Sequence, residues 1–291
     1  MNQIVLSGFS DEIAPELDRQ LEVVRELGLT HIELRAADGV NVSDFTGEKL
    51  REVKEKLQAA GVKVSSIGSP IGKIGIEEEF GPHLEKLKRT LEIQKELDAP
   101  YLRMFSFYLP EDRDPGEFRG EVMDRVGRMV EEAKSWDAVL LHENEKKIYG
   151  DNAARCKELL DAFYGPHFKG VFDFANFVEV GQETLPAYEL LKPYIEYVHI
   201  KDALMAEKKV VPAGKGDGHV REILSDLIGG GWKGFLSLEP HLIDFAGLAA
   251  LEQDAKHRES TLDGKDAWKL ALDSLKAILA QIPQAKEALT Q

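Results

Sequence analysis

Short apolar segments alternate with longer amphipathic segments along the whole sequence, and this alternation restricts the possible folds more than any other feature. The short segments predict eight β-strands, at Ile4–Gly8, His31–Leu34, Val62–Ile67, Tyr101–Phe105, Ala138–Glu143, Gly170–Phe174, Ile195–Ile200 and Gly234–Glu239. Strands that alternate with helices in this way pair in parallel. Because the composition shows no break, we predict an α/β protein that forms a single (β/α)8 TIM barrel, with residues 1–291 as one domain.

The predicted helices are recognised by apolar residues at helical spacing and by residues that start or stop a helix. The first begins near Ser10, a candidate N-cap, and ends before Gly28. A shorter helix-like piece at Phe245–Ala255 lies in an insertion that spans residues 240–265. The other helices are predicted at Lys49–Ala60, His83–Leu97, Phe118–Ser135, Ala153–Phe163, Thr184–Leu191, Val220–Ile228 and Asp266–Ile282.

An open, doubly wound sheet is the competing arrangement of alternating strands and helices. That fold binds dinucleotides through a glycine-rich fingerprint directly after its first strand, whereas the corresponding residues here are Gly8-Phe-Ser-Asp-Glu. The glycines of Gly214–Gly218 follow a polar loop rather than a strand, so we interpret them as a turn or a lid and not as a phosphate loop. The closed barrel is therefore favoured.

Composition and charge exclude several classes of partner. The chain has a formal net charge of −15, and a surface this acidic repels the phosphates of nucleic acid. No apolar run reaches the ~18 residues of a membrane span, and the N-terminus lacks the basic segment of a signal peptide. A single cysteine, Cys156, excludes an internal disulfide and a cysteine-based metal site. We expect a cytoplasmic protein that binds neither nucleic acid nor membranes. The sequence is compatible with a homo-oligomer.

The late strands of the predicted barrel carry metal-binding residue types at their carboxyl ends, which are Glu143, Asp173, His199 and Glu239. The active site of a barrel forms where strands end and the following loops begin, so these side chains are expected to converge. Three inward carboxylates repel one another unless a cation lies between them. Oxygen and imidazole ligands suit Mn²⁺, Mg²⁺, Co²⁺ and Zn²⁺. The sequence therefore predicts one divalent metal ion of this group, held by these four residues.

Other polar residues near the strand ends are candidates for substrate binding, each with a plainer alternative. Arg103 is expected to bind an anionic group, or to pair with a carboxylate inside the barrel. Lys201 and Asp202 are expected to bind a hydroxyl or phosphate group, or to form a surface salt bridge. Glu33 and Arg35 at the end of the second strand either contribute to the site or form a salt bridge within the barrel.

Several segments carry a resemblance to a known family. The most specific are His142-Glu-Asn-Glu, Phe172-Asp-Phe-Ala-Asn, Val198-His-Ile-Lys-Asp and Leu238-Glu. Over nearly the whole chain the sequence resembles the xylose isomerase-like family of TIM barrels, a sugar phosphate isomerase and epimerase group that includes ketose 3-epimerases, hydroxypyruvate isomerases, inosose dehydratases and endonuclease IV. The resemblance implies that the four residues above bind one metal ion, and that Glu143 and Glu239 serve as acid and base.

Two departures from the family's pattern narrow what the resemblance implies. Many relatives have a histidine three residues after the metal-binding aspartate, where this chain has Asn176, which we retain as a candidate substrate ligand. Ketose 3-epimerases carry a substrate-binding arginine soon after the metal histidine, and Lys201–Lys209 contains none, which disfavours a free-ketose epimerase of the usual kind. Endonuclease IV needs further histidines at earlier strand ends, where this chain has Ser66 and Phe105.

The resulting hypothesis is a metal-dependent isomerase or epimerase that acts on a carbohydrate: a sugar, a sugar phosphate or a keto-sugar. The reaction implied is abstraction of a proton next to a metal-chelated carbonyl group. Two alternatives stay open at this point. One is a metal-dependent lyase of the inosose dehydratase type, which uses the same proton abstraction, and the other is a barrel that binds a sugar without turnover.

Overall fold

The computed structural model describes residues 3–245 and 260–288, and its centre is a parallel barrel. Eight strands form one sheet in which every neighbouring pair is parallel; strands that are consecutive in the sequence lie side by side from the second to the eighth, and the eighth pairs with the first. A parallel bridge between Phe9 and Glu33 joins the two ends of the sheet. The predicted (β/α)8 barrel is therefore confirmed. Its strands are β1 (Val5–Gly8), β2 (His31–Leu34), β3 (Lys63–Ile67), β4 (Leu102–Met104), β5 (Leu140–Glu143), β6 (Phe168–Asp173), β7 (Ile195–Ile200) and β8 (Phe235–Leu238).

Helices follow the strands and pack around the outside of the barrel. None of the helices in the two described ranges has the length and apolar character needed to cross a membrane. The predicted piece at Phe245–Ala255 lies, apart from Phe245, outside the described residues. The helices are α1 (Leu17–Glu26), α2 (Gly47–Ala60), α3 (Phe80–Glu96), α4 (Arg119–Ser135), α5 (Ala153–Phe163), α6 (Phe174–Glu179), α7 (Thr184–Leu191), α8 (Val220–Gly229), α9 (Gly264–Leu279) and α10 (Pro283–Ala288).

The start of the first helix differs from the prediction. Ser10 does not cap α1; it begins a separate 3₁₀ turn, Ser10–Glu12, and its hydroxyl donates a hydrogen bond to Gln20 Oε1 at 2.8 Å. The physical reason is Pro15, because a proline disfavours helical backbone at the residue before it. The chain therefore breaks after the turn and resumes as α1 at Leu17.

Side chains of the strands alternate between two apolar layers. Leu141, Tyr197 and Phe235 belong to a small cluster of strand residues inside the barrel. Val198 and Leu236, which neighbour them in sequence, belong instead to the large core between the sheet and the helices. Because side chains alternate faces along a strand, this layering directs the residues at the strand ends into the barrel mouth.

His83 in α3 holds the loop that follows β3, and it makes the stability of the protein sensitive to acid. Its Nε2 accepts a hydrogen bond from the backbone N–H of Gly72 at 2.7 Å, which requires a neutral ring. Burial lowers the pKa of His83 to about 4. An unfolded histidine has a pKa of about 6.5, so the unfolded state binds more protons between these two values and stability falls as the pH falls through that window.

We expect His83 to contribute at most ~1.4 kcal/mol of this loss per pH unit between about pH 6.5 and about pH 4. The measurement is urea unfolding of the parent and of His83→Gln at several pH values in this window. The glutamine amide can accept the same hydrogen bond and does not titrate, so the variant should show a shallower pH dependence. Equal slopes in the two proteins would contradict this assignment.

Candidate metal centre

Four buried residues from consecutive late strands meet at the carboxyl end of the barrel. Glu143 and Asp173 are the last residues of β5 and β6, His199 lies next to the end of β7, and Glu239 directly follows β8. Their ligand atoms all lie within 4.8 Å of one another, and none of the four residues is more than 4% exposed. The structure thus brings together the four residues that were singled out as metal ligands, because parallel strands of a barrel end at the same rim.

The ring of His199 lies between two carboxylates and has a fixed orientation. Its Nδ1 is 2.9 Å from Glu143 Oε1, and its Nε2 is 3.1 Å from Glu33 Oε2. The ring of Phe9 packs against it at 5.3 Å between centroids. Burial disfavours a charged ring, but the two carboxylates outweigh it and raise the pKa of His199 well above its ordinary value.

Two basic side chains, Arg103 and Lys201, lie among the four candidate ligands. Arg103 Nη1 is 3.1 Å from Glu143 Oε2, so Arg103 pairs with a carboxylate inside the barrel, one of its two predicted roles. Lys201 Nζ is 2.9 Å from Glu239 Oε2 and 3.2 Å from Asp173 Oδ2. These ion pairs of Lys201 are buried rather than on the surface, since its side chain is 3% exposed. Each basic group neutralises part of the charge of the cluster.

The acidic groups respond differently to this environment. Burial opposes ionisation of Glu239, but Lys201 and other cations outweigh it and hold the pKa of Glu239 well below its ordinary value. The pKa of Glu143 is also lowered, because His199 and Arg103 outweigh its burial. For Asp173 burial dominates, and its pKa is raised well above the ordinary value despite the proximity of Lys201. Among these three carboxyl groups, Asp173 is the one whose burial is least offset by nearby cations.

The donor set and its charge balance fit one divalent cation. Around the centre the structure buries six carboxylates, Asp11, Glu12, Glu33, Glu143, Asp173 and Glu239. Among residues 3–245 and 260–288, the permanently charged cations buried there are Arg35, Arg103 and Lys201. Asp173 Oδ2 is buried, and Lys201 Nζ lies 3.2 Å from it in an ion pair that lacks hydrogen-bond geometry. A divalent ion compensates part of the acidic excess, and oxygen and imidazole donors are the ligands that such ions prefer.

Asn176 connects two of the candidate ligands. Its side-chain Nδ2 donates to Glu143 Oε1 at 3.3 Å and to the backbone carbonyl of Asn144 at 2.9 Å. Its backbone N–H donates to Asp173 Oδ1 at 2.8 Å, so Asp173 is also the N-cap of α6. These contacts place Asn176 beside the centre. Whether its amide also binds a substrate stays a prediction.

Asp202 is directed away from the centre and organises the glycine-rich loop. Its carboxylate accepts backbone N–H groups of Gly214, Gly216 and Gly218, each at 2.9 Å. A Cβ atom at Gly216 would lie 2.3 Å from the carbonyl oxygen of Ala203, so only glycine allows this close approach. The loop is therefore a turn wrapped around Asp202, and direct substrate binding by Asp202 stays a prediction.

The sequence did not single out His241, which lies beside the centre. Its Nε2 is 3.4 Å from both Glu12 Oε1 and Glu239 Oε1. These three residues form a second group whose ligand atoms lie within 4.8 Å of one another. However, the guanidinium of Arg35 contacts both Glu12 and Glu239, at 3.2 and 3.4 Å. Arg103 and Lys201 lie beside the first group in the same way, so we prefer the first group because it offers four ligand residues rather than three.

A family model described as "Xylose isomerase-like TIM barrel" matches residues 21–278 of the chain. This range contains all four residues of the candidate metal centre. No curated protein matches the chain by sequence.

Solved structures match nearly the whole chain at low sequence identity. A probable 3-DHS dehydratase from Bacillus anthracis is 18% identical with a TM-score of 0.70, and the match covers 95% of this chain and 99% of that one. D-psicose 3-epimerase with D-tagatose from Clostridium cellulolyticum H10 is 13% identical with a TM-score of 0.71, covering 96% and 99%. A xylose isomerase-like TIM barrel protein from Mycobacterium smegmatis in complex with magnesium is 18% identical with a TM-score of 0.65, covering 94% and 97%. At these identities the likeness concerns the fold.

Proposed function

This chain belongs to the xylose isomerase-like TIM barrel family, and we propose that it is a metal-dependent isomerase or epimerase of a sugar, a sugar phosphate or a keto-sugar. The observation that carries the proposal is the convergence of Glu143, Asp173, His199 and Glu239 within 4.8 Å. The reaction is removal of a proton from the carbon next to a carbonyl group, followed by return of a proton to the same carbon or to its neighbour.

We assign these four residues to one divalent ion, Mn²⁺, Mg²⁺, Co²⁺ or Zn²⁺. When bound, the ion would chelate the carbonyl oxygen and an adjacent hydroxyl of the substrate and make the neighbouring C–H group more acidic. The acidic excess of the centre supports the assignment, as does the buried Asp173 Oδ2, whose ion pair with Lys201 lacks hydrogen-bond geometry. Restoring each of the four ions to metal-free protein, and measuring thermal stability and activity, would identify the ion that the centre prefers.

Glu143 and Glu239 are the groups that we assign to proton transfer. Arg103 donates a hydrogen bond to Glu143, and Lys201 donates one to Glu239. The lowered pKa of each group keeps it ionised at neutral pH, so each can accept a proton. They approach from β5 and β8, which are not neighbours in the sheet. Two bases on different sides suit epimerisation, whereas one base that returns the proton to the adjacent carbon produces isomerisation.

We assign Lys201, Arg103 and Asn176 to substrate binding. Each has a side-chain nitrogen within 3.3 Å of a carboxylate of the centre. A hydroxyl or an anionic group of a substrate bound there would therefore meet hydrogen-bond donors on more than one side. Asp202 contributes indirectly in this scheme, because it fixes the loop that follows Lys201.

The proposed function predicts exchange of carbon-bound hydrogen with solvent. We expect the Mn²⁺-loaded protein to incorporate deuterium from D₂O next to the carbonyl of at least one compound in a panel of free and phosphorylated ketoses and aldoses. NMR and mass spectrometry identify the labelled carbon and the product. The same panel with chelator-treated protein is the control and should show no enzyme-dependent label.

The products separate the three hypotheses. A changed configuration or a shifted carbonyl supports an epimerase or an isomerase. Loss of water from a labelled substrate supports a lyase of the dehydratase type instead. If a compound of the panel binds but no compound is labelled or converted, catalysis is contradicted and a barrel that only binds sugars is favoured.

A further inference from the structure

The geometry points to Glu33 as a positioning residue of the metal centre, which holds His199 in the tautomer that carries its proton on Nε2. This inference rests on the proposed metal centre, and it concerns a residue of β2, a strand that carries none of the proposed ligands. Glu33 lies near the end of β2, and it is 1% exposed. A carboxylate at that depth needs a specific set of donors.

The donors to Glu33 all act on one of its oxygens. Glu33 Oε2 lies 3.1 Å from His199 Nε2, 3.1 Å from the Tyr197 hydroxyl and 2.6 Å from the Ser237 hydroxyl. Its other oxygen, Oε1, is buried and accepts no hydrogen bond. The directional bonding of this side chain is therefore concentrated on the oxygen that faces His199.

A hydrogen-bonded layer beneath the centre holds Glu33 in place. The Tyr197 hydroxyl also contacts Ser65 Oγ at 2.9 Å, and Ser65 Oγ contacts Ser7 Oγ at 2.6 Å. These residues come from β1, β3 and β7, and Ser237 adds β8. Four strands thus fix the position of a carboxylate that belongs to a fifth.

The other nitrogen of His199 faces the proposed ligands. Nδ1 lies 2.9 Å from Glu143 Oε1, 3.8 Å from Glu239 Oε2 and 3.9 Å from Asp173 Oδ2. When Nδ1 binds a cation, the imidazole keeps a single proton, and an ionised carboxylate only accepts. Contact with Glu33 therefore keeps the proton on Nε2 and leaves the lone pair of Nδ1 for a cation. Carboxylates that bind the second nitrogen of a metal-binding histidine also raise its strength as a ligand.

The test is Zn²⁺ binding to metal-free protein, measured by calorimetry on the parent and on Glu33→Gln. We expect the variant to raise the Kd for Zn²⁺ by ~10- to 100-fold, the usual effect of losing such a partner. Leu87→Ala is the control, because Leu87 is a buried residue of α3 in the outer core. It should lower the melting temperature and leave the Kd unchanged.

A second readout reports the tautomer directly. In ¹⁵N-histidine spectra of the Zn²⁺-loaded parent, the signals of His199 should show a protonated Nε2 and a metal-bound Nδ1. Glu33→Gln should shift the Nε2 and Hε2 signals, because the proton then bonds to a neutral amide instead of a carboxylate, and a general loss of stability would not produce this shift. If Glu33→Gln fails to fold, Ser237→Ala removes the shortest bond to Glu33 and should still raise the Kd at least ~3-fold, a smaller effect than loss of the carboxylate itself.

The outcomes distinguish this inference from the proposed function. A parent protein that binds no Zn²⁺ overturns both. A parent that binds Zn²⁺, with an unchanged Kd and an unchanged His199 spectrum in Glu33→Gln, overturns the role of Glu33 alone. If that variant does not fold, an unchanged Kd in Ser237→Ala overturns the role of Glu33 in the same way.

Discussion

Glu143→Gln and Glu239→Gln are each expected to lower turnover by at least ~100-fold, the usual effect of losing a general acid or base. Glutamine keeps the shape of the side chain, but it cannot accept a proton from carbon. The two carboxylates lie on strands that are separated within the sheet, so one is not expected to replace the other. The measurement is the rate of deuterium exchange and of product formation with the substrate that the panel identifies.

Because both glutamates are also proposed ligands, metal occupancy must be measured in each variant before proton transfer is held responsible. Glu196→Gln is a matched control, since Glu196 lies at the start of β7 and pairs with Lys169 at 3.2 Å. It removes the same kind of charge from a barrel strand and should leave turnover unchanged. A fully metallated Glu143→Gln or Glu239→Gln protein with a near-parent rate would show that this glutamate is only a ligand, and the two-base mechanism would be wrong.

The four candidate ligands were predictable because each lies at the end of a strand that the local sequence pattern predicts. Val198-His199 and Leu238-Glu239 each pair an outward apolar residue with a polar one that alternation turns inward. His142 precedes Glu143, so the same rule sends it outward, and in the structure it packs against Phe168 and contacts Ser106. Barrel closure then converts regular spacing in sequence into proximity in space.

Contacts that cross the barrel were not predictable in this way. Glu33 and His199 are 166 positions apart in sequence, and no local pattern states that one will accept a hydrogen bond from the other. For Glu33 the sequence left two roles open, a part in the site or a salt bridge. Its actual partners depend on how far side chains from opposite strands reach across the interior. The geometry of the closed barrel determines which side chains meet across the interior, and the sequence pattern of a single strand does not contain that information.

Two adjacent residues at the rim of the barrel point to different partners for a related reason. Lys201 and Asp202 are adjacent, and the sequence treated them alike as candidates for a substrate group. The structure directs Lys201 to Glu239 and Asp202 to the backbone of Gly214 and Gly218. Beyond the last strand residue the chain no longer follows strict alternation. The direction of each side chain there depends on the antiparallel hairpin of Asp202–Leu204 with Lys209–Val211 and on the loop that follows it.

Removal of the metal is expected to abolish activity and to lower the melting temperature. A ligand that binds only the folded state stabilises it by ~2.7 kcal/mol at a concentration 100 times its Kd. For a chain of 291 residues that loss corresponds to a shift of about 4 to 5 °C. The measurement is a thermal melt and an exchange assay with chelator, then with each divalent ion restored. Melting curves that do not respond to any of these ions would contradict a metal-binding centre.

Asp173→Asn tests the same centre through one residue. Asp173 has a pKa raised by burial, so its charge is poorly compensated without a cation, and loss of that charge should cost the metal-free protein little. In the presence of the ion the same charge is favourable, so the variant should bind metal much more weakly and lose most of the thermal shift. Asp124→Asn, at a side chain of α4 that is 62% exposed, is the control and should retain both. Because Asp173 also caps α6 through the Asn176 N–H, which asparagine can still satisfy, a selective loss of metal response would separate ligation from folding. Full occupancy and activity in Asp173→Asn would remove Asp173 from the site.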